Sequence, residues 1–103
     1  MSKSRAAVSV IIPAYNAQAT ISACLSAVTP QAAVCGAEVI VVDSSSDDTP
    51  RIVARDFPSV RLFHLDSRTF ASEARNIGVR QSAGEILCFI DSDCIAQKGW
   101  LDG

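Results

Sequence analysis

Four short runs of mainly apolar, often β-branched residues recur along the chain, separated by segments that carry helix signals. The runs are Val8–Ile12, Glu38–Val42, Val60–Leu65 and Glu85–Ile90. Runs of this length and composition are typical of strands that are buried on both faces. Strands that alternate with helices form a parallel sheet through right-handed crossovers. The pattern therefore predicts an α/β fold with a Rossmann-like parallel sheet, βαβαβαβ along the chain, and leaves the spatial order of the strands open.

Helix signals occupy the three intervening segments. In the first, apolar residues recur at helical spacing over residues 17–28, with Asn16 as the predicted cap and Pro30 as the predicted end. In the second, Thr49 is the predicted cap and Pro50 the first helical residue. The second helix is predicted to end before Phe57. In the third segment, a helix is predicted that includes Ser72 and Val79 and stops at Gly84.

Composition excludes several classes of protein. The chain has 103 residues and a formal net charge of −2, so it lacks the basic excess typical of nucleic-acid or anionic-membrane binding. Hydrophobic residues make up 49% and charged residues 19%, which excludes a disordered chain. The apolar stretch Ala6–Ile12 is too short for a signal peptide or a membrane span. The sequence therefore predicts one domain at most, in the cytoplasm.

Polar side chains follow the predicted strands at the points where the strands end. In an open parallel sheet, ligands bind beyond these carboxyl ends. Asp91 and Asp93 follow the fourth run, and residues two apart on an extended chain point the same way. Two neighbouring carboxylates repel each other, and a hard Mg²⁺ or Mn²⁺ ion relieves this repulsion while also binding substrate phosphates. The pair predicts a metal site, with ordinary turn and cap roles as the alternative.

Three other polar residues are expected near this edge. Asp43 and Arg75 each have two possible roles, and His64 has one. Asp43 ends the second run, where it either accepts an N–H of a bound base or ribose or caps the next helix. Arg75 either binds an anion or pairs with Asp43, Asp66 or Glu73. His64 is interpreted as structural. Neither GxGxxG nor GxxxxGK[ST] occurs, so the dinucleotide fingerprint and the P-loop are both absent from the sequence.

Four segments, taken together, resemble the family 2 glycosyltransferases. They are Val8–Asn16, Glu38–Asp43 with the polar loop up to Thr49, Ala74–Gly78, and Ala83–Asp93. The resemblance covers nearly the whole chain in the right order, and it lies in four motifs in register. It implies a GT-A fold and an inverting transfer of a sugar from a nucleotide-diphosphate sugar to an unknown acceptor.

The resemblance also implies roles for individual residues. Asp91 is expected to face the ribose or the metal, and Asp93 to bind the metal, Mg²⁺ or Mn²⁺, which bridges the diphosphate. Cys94 departs from the pattern, because the family often has another acidic residue there. The other implied nucleotide-sugar ligands are Pro13, Tyr15 and Asn16 in the nucleobase pocket, Asp43 on the base, and Arg75 beside the base or diphosphate.

GT-A domains of this family continue well past the DxD motif, and their acceptor site and catalytic base lie downstream. Residues 1–103 are therefore expected to be the truncated N-terminal nucleotide-diphosphate-sugar-binding half of such a domain, with the base beyond Gly103. We expect this part to bind nucleotide without turnover, and to self-associate through its uncovered sheet.

Two alternatives stay open. One is a non-catalytic nucleotide-binding or assembly module. The other is a haloacid dehalogenase-type phosphatase, in which Asp91 is the nucleophile and Asp93 the acid/base. Against the phosphatase, Ile95 stands where its signature has Thr or Val, and three βα units precede the motif instead of following it.

Overall fold

The computed structural model describes residues 8–101, which form one four-stranded parallel sheet with three helices. The elements are β1 (Val8–Ala14), α1 (Ile21–Cys35), β2 (Glu38–Asp43), α2 (Thr49–Asp56), β3 (Arg61–His64), α3 (Ala71–Gln81) and β4 (Ile86–Phe89). The strand order in the sheet is β3-β2-β1-β4, and every neighbouring pair is parallel. The predicted α/β class and the βαβαβαβ order are confirmed.

The two faces of the sheet are covered by different helices, because alternate residues of a strand point to opposite sides. Val39 and Val41 of β2 belong to the larger core, which they share with the buried side chains of α1 and α2. Ile40 and Val42 belong to the smaller core, which includes Ala74 of α3. The central strands β1 and β2 are buried on both faces, as their apolar runs predict, whereas β3 and β4 are half-exposed edges.

The first helix differs from its prediction at both ends. It begins at Ile21 instead of directly after Asn16, and it continues through Pro30 to Cys35. Ser26 and Pro30 are both exposed, so the carbonyl that loses its helical partner to proline lies on the solvent side. The helix ends instead at Gly36, whose φ of 72° suits the left-handed C-cap.

Two other predicted boundaries shift by one or two residues. The first strand includes Pro13, although a strand end was expected there. The Ile11 carbonyl accepts a bond from the Ile90 N–H, so Pro13, two residues on, faces the same side beyond the end of β4 and needs no N–H. In the second helix, Asp48 occupies the N-cap position predicted for Thr49, and neither side chain makes an N-cap bond of the predicted kind.

Helix α3 packs against β1 and β2 through Gly78. A Cβ at Gly78 would collide with the side chain of Ile11, which is fully buried. This close approach fixes the depth at which α3 lies, and with it the position of Arg75 one turn earlier.

The chain runs outward from β1 through β2 to β3 and then returns to β4 on the other side of β1. The strand order therefore reverses between β1 and β4. Such a reversal leaves a crevice beyond the carboxyl ends of the two strands, which is where ligands bind in open α/β sheets. Within residues 8–101, no helix is both long and apolar enough to span a bilayer.

Candidate functional site

A cleft of about 470 Å³ lies at the reversal point between β1 and β4. One wall is the end of β1 and the loop that follows it, and the facing wall is the loop that follows β4. The topology thus brings the first and the last polar segments of the sequence together. The lining residues are Pro13, Ala14, Tyr15, Asn16, Ala17, Thr20, Thr69, Ala71, Asp91, Ser92 and Asp93.

The β1 wall is held by the loop that follows β2. Asn16 has a φ of 48°, a left-handed conformation that asparagine tolerates better than most residues. The Asn16 backbone N–H donates to Ser45 Oγ at 2.7 Å, and its side-chain Oδ1 accepts from the Ser46 N–H at 2.9 Å. The Ala17 N–H donates to Thr49 Oγ1 at 2.9 Å, so the wall is fixed by the loop after β2 and by the first residue of α2. Asn16 therefore shapes the cleft instead of capping α1.

The opposite wall carries the predicted carboxylate pair. One ligand atom each from Asp91, Asp93 and Cys94 can lie within 4.8 Å of the others, and all three residues are exposed. The turn is closed by the Cys94 N–H, which donates to the Asp91 carbonyl at 3.0 Å. Two carboxylates with free lone pairs and room in the cleft fit a hard divalent cation, while the thiol adds a softer third group.

Arg75 reaches this wall from α3. Its Nη2 lies 3.3 Å from Asp91 Oδ1, with the two side chains 39% and 62% exposed. The sequence left open whether Arg75 pairs with a carboxylate, and the partner is Asp91, not Asp43, Asp66 or Glu73. An exposed pair of this kind is weak, so Arg75 can exchange Asp91 for another anion at little cost.

Asp43 does not line the cleft. Its side chain is fully buried, with Oδ1 accepting from Ser45 Oγ at 2.5 Å and Oδ2 lying 2.6 Å from His64 Nδ1. Both carboxylate oxygens are thus engaged within the protein. A contact between Asp43 and a bound base would require Ser45 or His64 to move aside.

Two residues at this edge were not predicted from the sequence to contribute to the site. His64, interpreted there as structural, lies at the end of β3, where the parallel register sets it beside Asp43. Arg68 places its guanidinium over the rings of Tyr15, 4.3 Å from the centroid, and Phe70, 5.2 Å away. Spacing in the sequence does not reveal either contact, because both depend on how the strands are paired and how the loop after β3 folds back.

The buried thiol of Cys24 lies beneath the β4 wall. Burial, with smaller contributions from Cys94, Asp93 and Asp91, raises the pKa of the Cys24 thiol to about 11. The Cys24 thiol lies 3.6 Å from the Asp91 carbonyl oxygen, to which it donates. Because burial is the largest cause of this shift, Cys24 is an inert, protonated core thiol.

Comparison with known proteins places this architecture in a family. The family model described as "Glycosyl transferase family 2" matches residues 9–103. The chain is 41% identical to glycosyltransferase AglE of Haloferax volcanii, over 92% of this chain and 33% of that protein. It is 37% identical to the UDP-Glc:alpha-D-GlcNAc-diphosphoundecaprenol beta-1,3-glucosyltransferase WfgD of Escherichia coli, over 85% of this chain and 35% of that protein.

Solved structures agree with the sequence relatives. The mannosyltransferase PcManGT of Pyrobaculum calidifontis, in complex with GDP-Man and Mn²⁺, matches with a TM-score of 0.74 and 32% identity, over 91% of this chain and 29% of that one. Glucosyl-3-phosphoglycerate synthase of Mycobacterium tuberculosis, with Mn²⁺, UDP and glucosyl-3-phosphoglycerate, matches with a TM-score of 0.70 and 31% identity, over 85% and 33%.

The chain spans about a third of the length of these relatives. The family model covers residues 9–103, a range that includes both walls of the cleft. The chain belongs to glycosyltransferase family 2.

Proposed function

We propose that residues 1–103 are the nucleotide-diphosphate-sugar-binding part of a GT-A glycosyltransferase domain that transfers a sugar to an acceptor with inversion. The observation that carries the proposal is the pairing of the Asp91–Asp93 wall with the Pro13–Asn16 wall across one cleft. Two sequence motifs that lie far apart along the chain thereby face one space, which is large enough for part of a nucleotide. The two solved relatives bind GDP-Man and UDP with Mn²⁺.

Asp93 and Asp91 are the proposed ligands of a divalent cation, Mg²⁺ or Mn²⁺. Their exposed carboxylates line the cleft and would supply oxygen ligands, and such a cation also binds substrate phosphates. When bound there, the cation would neutralise the charge that develops on the departing nucleoside diphosphate. Arg75, at 3.3 Å from Asp91, orients that carboxylate and is the proposed contact for the diphosphate or base.

The β1 wall is the proposed seat of the nucleobase. Tyr15 is 41% exposed and offers a ring face, and Pro13 and Asn16 line the space beside it. Arg68 covers the Tyr15 ring at 4.3 Å, so stacking of a base on that face requires Arg68 to swing away or to stack on the base in turn. Asp43, expected to contact the base, supports this wall from beneath through Ser45.

Binding without turnover is proposed for the 103-residue chain alone. Apart from Asp91 and Asp93, no carboxylate among residues 8–101 lines the cleft. Glu85 lies before β4, at the opposite end of the sheet, and Glu73 does not line the cleft either. Neither is placed to take a proton from an acceptor hydroxyl.

Calorimetry with GDP and UDP, with and without Mn²⁺, tests the proposal. We expect binding only with metal, and its loss in Asp93→Ala. Asp56→Ala, which removes an exposed carboxylate on α2 far from the cleft, is the matched control and should bind as the natural chain does. Equal binding without metal, or undiminished binding by Asp93→Ala, would contradict the metal role.

The alternatives predict different outcomes in activity assays. A non-catalytic module binds nucleotide, and its full-length protein transfers no sugar. A phosphatase that uses Asp91 as nucleophile releases phosphate from a phosphomonoester. The family match favours sugar transfer over the phosphatase interpretation.

A further inference from the structure

We infer that His64 is a positioning residue for the β1 wall of the cleft, acting through Asp43 and Ser45 on the backbone of Asn16. The inference rests on the proposed function only in assigning that wall to nucleotide binding. The geometry itself is a continuous series of three hydrogen bonds that begins at the end of β3, passes through the end of β2 and the loop after it, and reaches the cleft.

The chain of bonds has a defined direction. An ionised Asp43 only accepts hydrogen bonds, so His64 Nδ1, 2.6 Å from Oδ2, carries the proton and donates it. Ser45 Oγ donates to Asp43 Oδ1 at 2.5 Å, which leaves its lone pairs to accept from the Asn16 N–H at 2.7 Å. Asp43 thus accepts from both His64 and Ser45. Ser45, having donated its hydroxyl hydrogen to Asp43, accepts from the Asn16 N–H.

Burial makes His64 the link on which the others depend. Asp43 is fully buried, and among residues 8–101 His64 is its only ion-pair partner. A buried carboxylate without a strong donor is costly, so without His64 it would turn toward another donor or draw in water. Either change disturbs Ser45, which holds Asn16.

Asn16 is the point at which the disturbance reaches the cleft. Its φ of 48° is an uncommon conformation for a residue with a side chain, and it persists only when its surroundings hold it. The Asn16 N–H bond to Ser45 is one of the three bonds that do so, the other two being from the Ser46 N–H and the Ser46 hydroxyl to Asn16 Oδ1. Tyr15, next to it, presents its ring to the cleft.

Two nearly isosteric variants separate the hydrogen bond from packing. His64→Asn keeps an N–H donor at the δ position, whereas His64→Leu has no donor. We expect solvent exchange of the Asn16 amide, measured by NMR, to accelerate about tenfold in His64→Leu, as for the loss of a hydrogen bond to a charged group. His64→Asn should restore the natural rate to within about twofold.

Arg61→Leu is the control, because it alters the same strand at its opposite end. It should leave Asn16 exchange unchanged. Ser45→Ala should accelerate the exchange as His64→Leu does, and His64→Leu added to Ser45→Ala should add nothing further. Natural exchange at Asn16 in folded His64→Leu, or equal acceleration in both His64 variants, would overturn the inference. If His64→Leu does not fold, accelerated exchange in folded His64→Asn does the same.

Titration with UDP and GDP in the presence of Mn²⁺ extends the test to the cleft. We expect His64→Leu to bind about tenfold more weakly than the natural chain, and His64→Asn to bind like it. Unchanged affinity in His64→Leu would overturn the link to binding. If the natural chain binds neither nucleotide, the proposed function fails, while the exchange of Asn16 still decides the role of His64.

Discussion

Glu38 holds together the end of the sheet that lies opposite the cleft. Its side chain is only 15% exposed. Oε2 accepts from Ser9 Oγ at 2.5 Å and from the Ala83 N–H at 2.6 Å, while Oε1 accepts from Arg61 at 2.8 Å. Burial opposes the charge, but these bonds outweigh it and lower the pKa of Glu38 below its ordinary value of 4.5.

Glu38→Gln retains the shape of the side chain and removes one acceptor oxygen. Whichever way the new amide is oriented, its NH₂ group faces at least one of the three donors. The loss of one charged hydrogen bond costs about 2 kcal/mol of unfolding free energy at neutral pH. A lowered folded-state pKa means that this stabilisation is present above 4.5 and disappears as pH falls through the folded value.

Urea unfolding followed by circular dichroism, at neutral pH and at about pH 3, measures this difference. The gap between Glu38→Gln and the natural chain should shrink at the lower pH. Asp56→Asn is the control, since Asp56 also has a lowered pKa from Arg55 but its pair lies in solvent. A Glu38→Gln variant as stable as the natural chain at neutral pH, or a gap that persists unchanged in acid, would refute the reasoning.

Three further predictions concern packing, reactivity and assembly. Gly78→Ala should lower the free energy of unfolding, because overpacking against Ile11 costs about 1–3 kcal/mol and outweighs a helix-propensity gain of up to about 1 kcal/mol. A variant that resists urea better than the natural chain would contradict this. Cys24 has a buried thiol with a pKa of about 11, so it should stay unlabelled at neutral pH while the exposed cysteines react with a thiol reagent. Mass spectrometry measures the labelling, and equally fast labelling of Cys24 would contradict this prediction. The exposed apolar edge strand β4, with Phe89 at 43% exposure, should drive concentration-dependent self-association, and a constant monomer mass in light scattering would contradict this.

The architecture could be predicted from the sequence because β1 and β2 are buried on both faces. Their uninterrupted apolar runs therefore identify them as central strands of a parallel sheet. Boundaries were less predictable where one signal opposed another. Pro30 is a helix terminator in most settings, but on the exposed side of α1 it interrupts the ladder without ending the helix, and Gly36 provides the actual end.

The cleft residues that directly follow a strand could be predicted from the sequence. Asp91 and Asp93 could be located from their place after the fourth run, and Tyr15 from its place after the first. The role of His64 was not, because it depends on the register that sets it beside Asp43. A shift of that register by one residue would point the ring to the other face of the sheet. Burial of Asp43 beneath Ser45 likewise follows from tertiary packing and not from local pattern.

A divalent cation bound at the Asp91–Asp93 turn is the central feature of the proposed site. Mn²⁺ is paramagnetic, so small additions to ¹⁵N-labelled protein with UDP or GDP broaden the amide signals nearest the ion. We predict that the signals of Ser92 and Asp93 broaden first, followed by those of Tyr15 and Asn16 across the cleft. Signals near Glu38, at the other end of the sheet, should remain sharp. Broadening centred elsewhere, or no selective broadening of the Asp91–Asp93 turn, would contradict the proposed site.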